Sequence, residues 1–159
     1  MDPALRSTLL TIAAAMRDAR DSWWIIAGAA ARLHGADMPV SDVDLLVSPG
    51  DGEALLARLG PTGAPAPSDR FRSDLFACWT APPLPVDIMA GFQVLGPAGW
   101  QPIRPATRIA RPIGGAILHV PSIPELIAHC ALFDRPKDHA RAAILQRLGH
   151  EADTPPSAA

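Results

Sequence analysis

The chain has only two cysteines in 159 residues, Cys78 and Cys130, far apart in sequence. Neither has partners at metal-ligand spacing, so a disulfide framework and a structural zinc site are excluded as organising principles. Charge of one sign is also lacking: fourteen Lys and Arg face sixteen Asp and Glu, for a formal charge of −2. Such a balance gives no broad electrostatic footprint for DNA or RNA, and a long nucleic acid is the least favoured partner. No apolar run approaches the roughly 20 residues that span a bilayer, so no membrane association is expected. Leu9 to Ala15 imitates the apolar region of a signal peptide, yet Asp2 precedes it and Arg17 and Arg20 follow. It reads as an amphipathic helix, and the protein as cytoplasmic.

With 48% hydrophobic and 19% charged residues the chain can bury a real core. One domain is expected over residues 1–148, followed by a small, polar, flexible tail at 149–159. From Pro3 to Arg20, Leu5, Leu9, Ile12, Ala13 and Met16 form one helical stripe. Trp23-Trp24-Ile25-Ile26 has β-favouring residues and no helical period, which predicts a buried strand over Trp23–Ala27. Ala29 to Leu33 favours helix, so that strand turns directly into a helix at Gly28. A strand is expected over Asp42–Val47, a turn at Pro49-Gly50-Asp51 and a helix from Glu53 to Leu59. Strands follow over Arg70–Trp79 and Pro85–Met89. Proline recurs from Gly96 to Pro112, which predicts irregular structure. Ala116–Val120 reads as a strand, Ser122 and Glu125 as a capping box for a helix to Phe133, and Pro136 as the first turn of a helix to Leu148. Strands and helices mix without regular alternation. The fold class is α+β, two layers, a mixed β-sheet with helices packed on it.

Three features carry chemistry. Gly28 stands between a strand and a helix, where backbone can approach a ligand closely and free amides attract phosphate. Asp42 and Asp44 lie two apart in a strand and share a face, while Val43, Leu45 and Val47 take the other. Two adjacent carboxylates repel each other, which makes a divalent cation welcome. Asp87 interrupts the apolar strand Pro85–Met89, where an unpaired carboxylate is costly to bury. Lys137 is the only lysine in the sequence, a hint that an ammonium point charge is wanted there, at a phosphate. His34 reads as a helix-end residue that bonds a carbonyl, and Trp23 and Trp24 as packing residues.

Gly28-Ala29, then Asp42-Val43-Asp44, then a later strand with Asp87, resembles the nucleotidyltransferase superfamily typified by DNA polymerase β. Ala31-Arg32-Leu33-His34-Gly35 and Ser41 to Val47 are similar to its small bacterial members, including minimal and toxin–antitoxin nucleotidyltransferases. The matched core runs from Trp23 to Ala90, and Arg135-Pro136-Lys137-Asp138 is similar to a helix start in some relatives. The resemblance implies Mg2+, or Mn2+, at Asp42, Asp44 and Asp87, the same three residues being catalytic. It implies a nucleoside triphosphate bound by Gly28, Ala29, Ser41 and Lys137, and transfer of a nucleoside monophosphate to the hydroxyl of a small molecule or protein. The chain departs from the family pattern at two points. Ala29 replaces a frequent serine, and Met38-Pro39-Val40 stands where many relatives carry an arginine, a role left to Arg32, Arg72 or Lys137.

Two other folds use similar parts. A haloacid-dehalogenase-like phosphatase carries Asp-x-Asp at the end of a buried strand, whereas these aspartates come at the beginning of one. A dinucleotide-binding fold wants G-x-G-x-x-G, of which only Gly28 is present. The functional alternative is a degenerate nucleotidyltransferase-like binding module, such as one member of a toxin–antitoxin pair with a protein partner.

Overall fold

A computed structural model describes residues 1–60 and 62–153. In chain order the elements are α1 (Pro3–Ala15), β1 (Trp24–Ile26), α2 (Ala27–Leu33), β2 (Val43–Leu46), α3 (Pro49–Arg58), β3 (Phe71–Arg72) and β4 (Leu75–Trp79). They continue with β5 (Val86–Ala90), β6 (Gln93–Gly96), β7 (Gly99–Pro102), β8 (Ile109–Ile113), β9 (Ala116–Val120), α4 (Ile123–Phe133) and α5 (Pro136–Asp153). The main sheet runs β1-β2-β5-β4. Its central pair, β2 and β5, is parallel and both flanking pairs are antiparallel, so the sheet is mixed. Two smaller sheets, β3-β6-β7 and the β8-β9 hairpin, complete an α+β fold.

Val43, Leu45, Val86 and Ile88 point from the central strands into the main core, each at most 1% exposed. Leu5, Leu9 and Ile12 of α1 and Ala29, Ala30 and Ala31 of α2 meet them there. The alternation along β2 thus leaves Asp44, and Asp42 just before the strand, on the opposite face. His34, at the C-terminal end of α2, bridges two segments. Its Nε2 donates to the Pro121 carbonyl at 2.7 Å and its Nδ1 accepts from Arg111 at 2.6 Å, which ties the β8-β9 hairpin to α2. No helix among the described residues is long and apolar enough to cross a membrane.

Several local expectations are corrected. The first helix ends at Ala15 rather than Arg20, because the Asp51 carboxylate accepts from the backbone N–H of Arg20 and Asp21 at 3.0 and 2.8 Å. Pro49-Gly50-Asp51 is no separate turn: Ser48 caps α3 by accepting from the Asp51 N–H, with Pro49 in the first turn. Arg70–Trp79 splits into β3 and β4, which belong to different sheets. The proline-rich span 96–112 contains β7 and β8. Both are short strands whose prolines sit at a strand end or in a two-stranded ribbon, where a missing N–H costs little. Gly114 and Gly115, both with positive φ, make the hairpin turn between β8 and β9. Ser122 caps α4, but the Glu125 carboxylate bonds the N–H groups of Ala106 and Thr107 and the Thr107 hydroxyl instead of closing a capping box. The last helix continues past Leu148 to Asp153; the rest of the tail, residues 154–159, lies outside the described residues.

Candidate functional site

The site forms along one row of the main sheet. Ile26 pairs with Asp44 between β1 and β2, Asp44 with Asp87 between β2 and β5, and Asp87 with Cys78 between β5 and β4. In-register pairs project side chains to the same face, so Asp44, Asp87 and the Cys78 thiol stand side by side. Asp42 precedes β2 by one residue and shares that face; the Ser41 hydroxyl donates to it at 3.2 Å. All three aspartates are half-buried.

Burial and like charge leave their mark. Burial raises Asp44 to about 7, with further upward pressure from Asp42 and Asp87 and relief from Arg141 and Lys137. Asp87 is also raised, first by burial; the Cys78 thiol lowers it and Asp42 raises it. Among the described residues no three His, Cys, Asp or Glu side chains are gathered as a ready metal cage. The aspartates share a face without closing on one point.

The cationic side of the site comes from α5, more than ninety residues after β2. Asp138, wholly buried in its first turn, accepts from Arg135 at 2.6 and 3.1 Å and from Arg141 at 3.1 Å. Arg141 is 6% exposed and its Nε has no hydrogen-bond partner. Its guanidinium lies against Gly28: a Cβ built there would meet Arg141 Nη2 at 3.4 Å. Lys137, one helical turn before Arg141, is exposed, and its charge reaches Asp44. Arg141 is therefore the basic residue beside Gly28. Of the candidates read from sequence, Arg32 bonds the Ala36 carbonyl and Asp37, and Arg72 lies over Trp100 and bonds Gln93. The overlooked signal is the four-residue spacing of Lys137 and Arg141, which places both on one helix face.

At the other candidate positions the outcome is divided. Gly28, the second residue of α2, has ordinary φ, so its lack of a side chain matters for space rather than backbone conformation. Ala27 instead takes the left-handed conformation, φ 54°, where β1 breaks into α2, and lines the cavity beside Asp44. Ala29 is 1% exposed, packed in the core, so it presents no surface to a ligand. Helical geometry turns Ala29 inward, while Ala27 and Gly28 stay partly exposed beside the aspartates and Arg141.

Asp44 yields a direct prediction. A carboxyl raised from 3.8 to about 7 on folding penalises the native state as pH rises from about 4, and the penalty is complete above pH 7. Each tenfold gain in proton affinity on folding is worth roughly 1.4 kcal/mol. Asp44→Asn in metal-free protein is therefore expected to raise Tm by several degrees at pH 8 and by nothing near pH 4. Melting curves in EDTA across that range check it; an equal gain at both pH values contradicts it.

No family model matches the sequence, and no curated protein does. Solved structures do. A Thermotoga maritima protein assigned as a nucleotidyltransferase superposes with TM-score 0.69 at 16% identity, over 95% of this chain and 96% of the other. The antibiotic-resistance factor ANT(2'')-Ia matches at 0.62 and 17%, over 95% and 88%. The lincosamide antibiotic adenylyltransferase LnuA, bound to lincomycin, matches at 0.60 and 10%, over 89% and 96%. The row of aspartates on a mixed sheet and these full-length superpositions agree: the chain has the nucleotidyltransferase fold.

Proposed function

We infer that the chain transfers a nucleoside monophosphate from a nucleoside triphosphate to an acceptor hydroxyl and releases pyrophosphate. The observation that carries this reading is the register of Asp44 against Asp87, with Asp42 on the same face and the charges of Arg141 and Lys137 near enough to act on Asp44. A row of carboxylates with basic charge beside it is the pairing a metal–triphosphate complex requires. Among the solved structures of this fold, one is an adenylyltransferase of a lincosamide antibiotic and another, ANT(2'')-Ia, is in complex with adenylyl-2''-tobramycin. Both support a small-molecule acceptor here.

A divalent cation fits the donor set. The ligands are hard carboxylate oxygens, and Asp44 and Asp87 hold their protons too strongly until a positive charge offsets their crowding. Asp42, Asp44 and Asp87 would hold Mg2+ or Mn2+, which supplies charge neutralisation at the phosphates and acidifies the acceptor hydroxyl. The chain's own residues do the rest. Gly28 leaves room for a phosphate, and Lys137 and Arg141 bring positive charge to it. As the acceptor oxygen bonds to the α-phosphorus, the bond to pyrophosphate breaks and Asp87 takes the acceptor's proton.

The test is a thermal-shift screen of the four nucleoside triphosphates with and without Mg2+, followed by pyrophosphate release. A nucleotide at a hundred times its Kd stabilises by about 2.7 kcal/mol. Gly28→Val sets its Cβ at ordinary contact distance from the Arg141 guanidinium, without backbone strain, and fills the space offered to the phosphate. It is expected to weaken nucleotide binding by at least about tenfold, roughly 1.4 kcal/mol, with Tm within a few degrees of the parent. Unchanged nucleotide affinity in a folded Gly28→Val variant contradicts the placement. Nucleotide binding without pyrophosphate release from any acceptor makes the chain the binding module instead.

A further inference from the structure

A cavity of about 500 Å³ opens beside Asp44 and Asp87 and is lined by neither Gly28, Lys137 nor Arg141. The groups offered to the phosphates lie outside it, so it sits on the acceptor side of the row. Its walls are apolar and aromatic: Ile26, Phe71, Phe76, Met89, Phe92 and Phe133. Phe71 and Phe92 stack at 6.0 Å, and Phe133 meets Phe71 edge-on at 5.8 Å, so the three rings form one contiguous aromatic surface. Pro65, Ala66 and Pro67 of the loop add to that wall, and Ala27, Ser68 and Ser73 contribute small, uncharged groups beside it.

Its charges are equally telling. Among the described residues the lining holds no carboxylate besides Asp44 and Asp87, which the proposed reaction already uses. Each of its two cations already has partners. Arg135 is paired with Asp138 and lies 4.8 Å over the Phe71 ring; Arg72 bonds Gln93 at 2.6 Å and lies 4.1 Å over Trp100. A polyamine sugar would find two arginines and no free carboxylate to pair with its ammonium groups. An anion would face Asp44 and Asp87 across an apolar floor. An uncharged molecule with an aromatic or aliphatic face avoids both penalties and gains from burying that face. A volume of this size suits a drug-sized ligand.

Resting on the nucleotidyltransferase reading, we propose that the acceptor is a small, uncharged, amphiphilic alcohol: its apolar face packs on the Phe71–Phe92–Phe133 wall and its hydroxyl reaches Asp87. The experiment needs no turnover. The full chain is titrated calorimetrically with 4-nitrophenyl β-D-glucopyranoside and chloramphenicol, both neutral aromatic alcohols, and with tobramycin, a polycation. At least one neutral probe is expected to bind at least about tenfold more tightly than tobramycin, and to bind equally well when α,β-methylene ATP and Mg2+ are present. Phe76→Ala removes part of the wall, and Ala66→Trp, on the exposed loop, fills the mouth with no core side chain disturbed. Each is expected to weaken the neutral probe by at least about tenfold. Tobramycin binding as tightly, neither neutral probe binding, an unchanged affinity in Ala66→Trp, or displacement by the nucleotide analogue would overturn the assignment. Absence of pyrophosphate release counts against the nucleotidyltransferase reading alone, because the titration is independent of it.

Discussion

Asp87→Asn is expected to lower turnover by about 10²–10⁴-fold while nucleotide affinity stays within several-fold of the parent. The reason lies in the sheet. Asp87 pairs in register with Asp44 on one side and Cys78 on the other and lines the cavity assigned to the acceptor. The nucleotide's phosphates are assigned to Gly28, Lys137 and Arg141, none of which touches that cavity. Asparagine keeps the size of the side chain and cannot take a proton from the acceptor. Its loss is therefore felt in the transition state more than in the ground state. Stability should hold, since the substitution removes a negative charge beside Asp44. Steady-state pyrophosphate release and calorimetric nucleotide titration separate the two effects. Turnover that survives undiminished means the proton goes elsewhere.

Asp138→Ala should have the opposite profile, a large loss of stability. Asp138 is completely buried and accepts from both Arg135 and Arg141. Its removal leaves the Arg141 guanidinium, 6% exposed and already lacking a partner at Nε, as an uncompensated buried charge. Breaking one side of a buried pair typically costs about 3–5 kcal/mol. The urea midpoint is expected to fall accordingly, with no change in m-value if the fold stays two-state. Nucleotide affinity should drop as well, because Asp138 holds Arg141 against Gly28. A stability within about 0.5 kcal/mol of the parent would show that water solvates Arg141 and that the cluster is peripheral.

Much of the architecture was legible in local pattern. The apolar stripe of α1, the strand expected over Trp23–Ala27 (Trp24–Ile26 in the structure), the turn into a helix that begins at Ala27 rather than Gly28, and the alternation along Asp42–Val47 all follow from residue spacing. Each reflects an interaction within a few residues. Asp42, Asp44 and Asp87 could be singled out because a carboxylate in an apolar strand is conspicuous by its cost. Where local reading failed, a distant partner had intervened. The Asp51 carboxylate took the backbone N–H groups of Arg20 and Asp21, so α1 stopped early. Two glycine turns let a proline-rich stretch pair as hairpins, since the prolines fall where no ladder bond is needed.

The sequence by itself determined which residues could be strand, helix or ligand, because propensity, capping and side-chain alternation are short-range. Tertiary structure alone decided four things. It put Asp44 opposite Asp87 through a parallel pairing whose register no turn dictates. It turned Ala29 into the core and left Ala27 and Gly28 at the site, a matter of the angle at which α2 packs on the sheet. It also brought Arg141 across more than one hundred residues to Gly28, and gathered Phe71, Phe92 and Phe133 from separate stretches of chain into one wall. Such contacts depend on the packing of whole elements, whose energy is spread over the core and written in no single stretch of chain.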